Sequence, residues 1–263
     1  MQLSLENKAI VVVGGTTGLG LAGAKACAEA GAKVVVVGRD AGRIAEAEKV
    51  IGHGAKGFAG DASDPATSDG AVALCVKEFG RLDGLYHVAG GSGRRFGDGP
   101  LHEITDAGWQ QTLHWNLDSL FYSNRAAARQ FLAQGGGGSV LNMGSVLADA
   151  PSPSFFSTHA YATAKAAIVG LTRAAAAHYA AQNIRFNVVA PALVETPMSA
   201  RAQQDEAIMS FIATKQPLDG GRIGKPSDLD AAVVYFLSDA SRFATGQVLR
   251  IDGGWTISDG QRA

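Results

Sequence analysis

Short, wholly apolar runs of β-branched residues alternate with Ala-rich helical stretches through most of the chain. That alternation limits what it can fold into more than any other feature. Ala9–Val13 (AIVVV) stops at Gly14-Gly15, and Leu19–Ala30 reads as a helix closed by Gly31; Lys33–Val37 is a second strand and Ala41–Ile51 a second helix. A weaker strand at Ala55–Ala59, a helix at about 66–79, a strand at 84–88, a helix at 106–133 and a strand at 139–143 follow, then a helix over 158–181 and a strand at Ile184–Val189. Strands that are apolar along their whole length are covered on both faces; with helices between them they form a parallel sheet. Right-handed crossovers make that sheet doubly wound, so the fold class is α/β. The loops GGSGRRFGDGP and ADAPSPSFFS follow predicted strands and therefore fall at the carboxyl edge of the sheet, where ligands bind. Gly135–Gly138 reads as a tight connection, and no linker divides the 263 residues, so the expectation is a single domain over 1–263.

Charge and cysteine content narrow the function classes. The net charge of −1 gives no electrostatic footprint for nucleic acid. No apolar run reaches the roughly 18 residues of a membrane span, and MQLSLENKAIVVVGG lacks the basic start and long apolar core of a signal peptide. Cys27 and Cys75, both in predicted helices, are too few for a disulfide scaffold, so a cytoplasmic setting is expected. The six histidines and two cysteines show no metal-ligand spacing.

Two local patterns carry chemistry. In VVVGGTTGLG, Gly14, Gly18 and Gly20 stand between the first strand and the first helix. There the chain must turn sharply, bring its backbone near a pyrophosphate and pack a helix on the sheet, and each task excludes a β-carbon. The helix N-terminus offers free N–H groups and a positive dipole to the phosphates. In HAYATAKAAIVG, Tyr161 and Lys165 stand at i and i+4 on one helix face. An ammonium beside a phenol favours phenolate and draws the phenol pKa down from about 10 toward working pH, where general acid–base transfer is most effective. An ordinary surface Tyr and Lys is the plain alternative.

The G-x-x-x-G-x-G spacing together with the downstream YxxxK resembles the short-chain dehydrogenase/reductase family, in the YxxxK branch of 3-oxoacyl-ACP reductase-like and related alcohol dehydrogenases. The resemblance runs from Leu5 to about Gly254, with Val13 in place of the Thr that opens the family's TGxxxGxG. It implies a Rossmann-type parallel sheet of about seven strands, the last in TGQVLRIDGGW. It also implies hydride transfer between a nicotinamide dinucleotide and a secondary alcohol or ketone. Tyr161 would be the general acid/base, and Ser145 of NMGSV would polarise the carbonyl. Lys165 would bind the nicotinamide ribose, and Asn116 of HWNLDSL would anchor a proton relay. The gap from Ser145 to Tyr161 is longer than usual and contains Ser152, Ser154 and Ser157, any of which could be the partner instead.

Cofactor contacts implied by the resemblance fall on Gly14, Thr16, Thr17, Gly18, Leu19 and Gly20 in the loop. Others fall on Asp61 and Ala62 near the adenine, on Ala89 and Gly90 of HVAG (the family's NNAG), and on Tyr161 and Lys165. Pro191, Val194 and Thr196 of APALVET correspond to the family's APGxxxT at the nicotinamide amide. His87, in place of the first Asn of NNAG, reads as a satisfied core or sheet-edge histidine. At the tip of the second strand Gly38 replaces the Asp of NAD-preferring relatives, and Arg39 can meet a 2′-phosphate, so NADP(H) is favoured and NAD(H) remains possible. Asp40 argues the other way unless it caps the next helix, and Arg39 could be a solvated loop residue. Residues 195–215 are expected to form a substrate lid. Arg94 and Arg95 either bind an anionic substrate group, stay solvated or meet a neighbouring subunit; Phe155 and Phe156 line a pocket or fill the core. The resemblance also implies a homotetramer. Two other readings stay open: a dinucleotide-binding regulator without turnover, and an epimerase or dehydratase, which usually has a longer C-terminal part.

Overall fold

A computed structural model describes residues 3–260. Seven parallel strands form one sheet in the order β3-β2-β1-β4-β5-β6-β7. They are β1 (Ala9–Val13), β2 (Lys33–Gly38), β3 (Lys56–Ala59), β4 (Gly84–His87), β5 (Gly138–Met143), β6 (Ile184–Pro191) and β7 (Val248–Ile251). The doubly wound α/β class read from the alternation is the class observed. Successive residues of β1 point to opposite faces, so Ile10 and Val12 enter one core and Ala9, Val11 and Val13 the other. The first core is roofed by α1 (Gly18–Glu29), α2 (Ala41–Ile51) and a later helix at Asp230–Leu237. The second is roofed by α3 (Pro65–Phe79), by a helix at Ser119–Gln134 and by one at His159–Tyr179. Both cysteines are buried and unpaired, and burial pushes their thiols up, that of Cys75 to about 12. Among the described residues no helix is long and apolar enough to cross a membrane.

Two elements differ from the sequence reading. The expected helix at 106–133 is broken into α4 (Asp106–Leu113), a π-helical turn (His114–Asp118) and α5 (Ser119–Gln134). Asn116 explains the break: its Nδ2 donates to the Thr112 carbonyl at 2.9 Å, supplying a bond that the wider turn takes from the backbone ladder. After α6 (His159–Tyr179), β6 leads into a helical excursion of α7 (Ala200–Gln203) and α8 (Glu206–Lys215). The excursion returns where Val194 pairs with Gly224, and α9 (Asp230–Leu237) follows. The reading passed over α9 because DAAVVYFL is apolar all round and has no helical period.

β1 is flanked by β2 on one side and β4 on the other, and the chain reverses its direction of winding between β1 and β4. A crevice opens at the carboxyl ends of strands at such a point. Gly14 leaves β1 there with φ +82, and a β-carbon on it would lie 2.7 Å from the Ala89 amide N after β4, so only glycine lets the two loops meet.

Candidate active site

A cleft of about 940 Å3 runs across the carboxyl edge of the sheet, from the end of β2 to the segment after β6. It brings together almost every residue singled out in the sequence. Gly14, Thr16, Thr17, Gly18 and Leu19 form its floor at the mouth of α1; Gly20 lies beneath them, with the Gly14 carbonyl where its side chain would be. Thr17, which precedes α1, makes no side-chain cap, and the first turn of α1 carries no acidic residue. The helix therefore presents uncapped N–H groups and the positive end of its dipole to the cleft, a cradle suited to a diphosphate. The cleft's length, this cradle and the ring of backbone at Ala89, Gly90, Pro191 and Val194 fit a nicotinamide dinucleotide.

At the β2 end, Arg39 leans toward Asp61 at 4.0 Å and lies over the Trp115 ring at 5.5 Å. Asp61 accepts from the Ser63 N–H and hydroxyl, and these bonds with the nearby guanidinium hold its carboxyl below the usual range despite partial burial. Ala62 lines the cleft beside it. Asp40 accepts from the Arg43 N–H at 2.8 Å as the N-cap of α2. A β-carbon at Gly38 would fall 2.6 Å from the Thr16 side chain, so Thr16 fills the space from which an acidic side chain would start.

At the other end, α6 delivers Tyr161 and Lys165 to the cleft wall, next to Ser145 at the end of β5. The Ser145 hydroxyl accepts from the Leu147 N–H at 3.2 Å and acts on the phenol, whereas Ser152, Ser154 and Ser157 do not line the cleft. Lys165 is 3% exposed; its ammonium donates to the Met143 carbonyl at 2.9 Å and lies 5.5 Å from the centre of the Tyr161 ring. The expected electrostatic pull on the phenol is not seen. Burial pushes Tyr161 up to about 12, offset in part by Ser145, and burial draws Lys165 down to about 8. At neutral pH both protons are on.

Asn116 is fully buried and does not line the cleft. Its side chain accepts from the Gly91 N–H at 3.1 Å and donates to the Gly91 carbonyl at 2.9 Å, clamping the loop after β4. His87 is buried between the Ala89 carbonyl at 3.1 Å and the Ser123 hydroxyl at 2.8 Å, and burial with the Lys165 charge holds it down at about 3, so it is neutral. Thr196 lines the cleft while sharing a capping box with Ser199 at the start of the excursion.

Three features escaped the sequence reading. Asp98, in the loop after β4, accepts from the N–H groups of Ala160 at 2.9 Å and Tyr161 at 3.0 Å, and so caps the helix that carries the phenol. Arg201 reaches the cleft from α7. Trp255, 2% exposed, closes the inner wall with Phe156 and donates to the Ala150 carbonyl. Arg95 does not line the cleft: it stacks on Phe96 and Trp115, at 4.7 and 4.3 Å. Phe155 packs against Phe211.

Comparison with known proteins agrees with this geometry. The profile of the family described as enoyl-(acyl carrier protein) reductase matches residues 13–256. Cis-4-hydroxycyclohexanecarboxylate dehydrogenase from Sinomonas cyclohexanicum is 34% identical over 255 residues, 96% of this chain and 98% of that protein. The 2-dehydro-3-deoxy-D-gluconate 5-dehydrogenase of Escherichia coli (strain K12) is 33% identical, over 96% of each chain. Among solved structures, a short-chain type dehydrogenase/reductase from Mycobacterium ulcerans superposes with a TM-score of 0.88 at 30% identity, covering 97% of this chain and 92% of its own. On the family match over residues 13–256, relatives above 30% identity over nearly the whole chain and the shared fold, the chain belongs to the short-chain dehydrogenase/reductase family, as an NAD(P)-dependent oxidoreductase.

Proposed function

We propose that the protein interconverts a secondary alcohol and a ketone with NADP(H), using Tyr161 as general acid/base. The observation that carries this reading is the meeting of Tyr161 and Ser145 at the cleft wall, backed by the buried Lys165. The nicotinamide dinucleotide, when bound, supplies or takes up the hydride. Tyr161 gives a proton to the ketone oxygen, or takes one from the alcohol. Ser145 donates a hydrogen bond to the same oxygen and stabilises the charge that develops there. Lys165, held by the Met143 carbonyl, would bind the nicotinamide ribose when the cofactor is present and supplies a cation 5.5 Å from the centre of the Tyr161 ring. Asn116 acts as a positioning residue through Gly91. The glycine loop, Asp61 and Ala62, Ala89 and Gly90, and Pro191, Val194 and Thr196 hold the dinucleotide. The chain works as one dinucleotide-binding and catalytic unit, with α7 and α8 as its lid.

Cofactor choice rests on the β2 tip. Gly38 and Thr16 leave no room for a ribose-binding carboxylate, and Asp40 is engaged as a cap, while Arg39 places a guanidinium at the cleft. The alternative, NAD(H), is favoured by Asp61, which already faces Arg39. Steady-state kinetics with both cofactors decide: Arg39→Ala should lower kcat/KM for NADP+ by about tenfold to a hundredfold and change that for NAD+ little. An unchanged preference would remove the assignment. A hydroxycyclohexanecarboxylate and a deoxyketogluconate, after the two relatives, are the first substrates to try.

Assembly as a homotetramer in the cytoplasm completes the reading. It is supported by the open edge strand β7 and by exposed Phe121 and Leu132 on α5. Light scattering on the purified protein tests it.

A further inference from the structure

The substrate end of the cleft holds more positive charge than the transfer of a hydride and a proton requires. Arg94 enters it from the short turn Gly93–Phe96 after β4, and Arg201 from α7. The two guanidiniums are close enough for Arg201 to push the Arg94 pKa down, on top of the effect of partial burial. Arg94 donates one Nη2 hydrogen bond, to the Phe155 carbonyl at 2.9 Å, which fixes the plane of the group and leaves Nε and Nη1 for another partner. The nearest carboxylate in its field is Asp98, whose two oxygens accept from Ala160 and Tyr161. The other acids lining the cleft, Asp40 and Asp61, lie at the far end and are engaged there. Asp98 offsets part of the Arg94 charge but none of that of Arg201, and the wall beside the two guanidiniums includes the apolar Leu147, Phe156, Leu193, Met198 and Trp255. Both guanidiniums are open to the cleft and to solvent, so an anion entering between them meets two sets of N–H donors and relieves their mutual repulsion.

We propose that Arg94 and Arg201 form an anion subsite and that the substrate is an organic acid. The alcohol or ketone carbon sits at Tyr161, an apolar body lies against Phe156 and Trp255, and a carboxylate at the remote end is shared by the two guanidiniums. This assignment rests on the hydride-transfer reading above and names its substrate class. Because Arg201 belongs to the excursion and Arg94 to the loop after β4, the carboxylate also draws these two segments together. The fork geometry of guanidinium suits a carboxylate better than a neutral oxygen.

Calorimetric binding tests the subsite separately from turnover. Protein with saturating NADP+ and NAD+ is titrated with 4-oxocyclohexanecarboxylate and with its methyl ester; a ketone and an oxidised cofactor cannot react. Two further keto acids, laevulinate and 2-oxoglutarate, are paired with their methyl esters in the same way. The wild type should bind at least one acid about tenfold or more tightly than its ester, and Arg201→Gln should weaken that acid by about tenfold to a hundredfold. Arg94→Gln should do the same and Arg201→Lys should restore part of the affinity, with melting curves confirming that each variant is folded. Equal affinity for acid and ester, failure of every acid to bind, or an Arg201→Gln variant that binds the acid as wild type does would overturn the proposal. Charge-selective binding of an acid that is never turned over would uphold the subsite and remove the hydride-transfer reading instead.

Discussion

Replacing Asp98 by alanine tests how the helix that carries Tyr161 and Lys165 is held. Thr158, the residue just before α6, contributes no side-chain cap, so the first turn depends on a carboxylate from the loop after β4. Asp98 is 6% exposed and uses one oxygen for Ala160 N–H and the other for Tyr161 N–H, at 2.9 and 3.0 Å. Loss of a helix cap costs about 0.5–2 kcal/mol. An N–H left without a partner in a buried place costs about 1–3 kcal/mol more. Water from the adjacent cleft can reach part of this turn, so the expected sum is about 1.5–4 kcal/mol. For a chain of this size that lowers Tm by roughly 3–15 °C. Asp98→Asn keeps one acceptor oxygen and should lose about half as much. Because Tyr161 itself supplies one of the two N–H groups, kcat should fall with the loss of its position, by up to about a hundredfold for a displacement near 1 Å. Circular dichroism melts and kcat on the same preparations are the readouts. An Asp98→Ala protein that melts within about 1 °C of wild type and turns over at the wild-type rate would show that α6 does not need this cap.

Tyr161→Phe should lower kcat by about 10²–10⁴-fold while dinucleotide binding, followed by fluorescence, stays within a few-fold. With Tyr161 pushed up to about 12, the phenol is protonated at neutral pH, so ketone reduction should be fast at pH 7 and alcohol oxidation should climb as pH rises; an oxidation rate flat from pH 7 to 10 would contradict this. His87 sits at about 3 when folded, against about 6.5 for a free histidine, so the unfolded chain binds more protons between those values and stability falls as pH drops through that window. By pH 5 the loss is about 2 kcal/mol. His87→Asn should flatten the dependence of Tm on pH between 7 and 5, and an unchanged slope would mean that the ring is not the acid-labile group.

The strands were legible because β-branched runs such as AIVVV and KVVVVG have no other use than a two-sided sheet interior, and their ends are marked by glycine. The glycine cradle and the Tyr161–Lys165 pair were legible for the same kind of reason: each is set by local geometry, a turn in one case and one helical turn in the other. What was not legible depends on closure in three dimensions. Nothing in GGSGRRFGDGP tells that its aspartate caps a helix about 60 residues later. Nothing in ETPMSARAQQ tells that Arg201, rather than Arg95, joins Arg94 in lining the cleft. Spacing put the ammonium near the phenol, but the direction of the phenol's shift comes from burial, which spacing does not report.

The segment between Val194 and Gly224 begins and ends at one isolated bridge beyond the end of β6. There Glu195 N–H donates to the Gly224 carbonyl at 2.8 Å and Gly224 N–H to the Leu193 carbonyl at 3.0 Å. The amide of Gln216, itself 2% exposed, accepts from Leu193 N–H at 2.9 Å and donates to its carbonyl. A stretch fastened at its own base in this way, and otherwise hydrogen-bonded through Thr214, Lys215 and Leu218 to the segment after β7, forms a cassette together with that segment. Evolution or an engineer can exchange it for one of another length or charge, and so reshape the part of the cleft lined by Met198, Ser199, Arg201 and Ala202, without disturbing the strands or the helix that carries Tyr161.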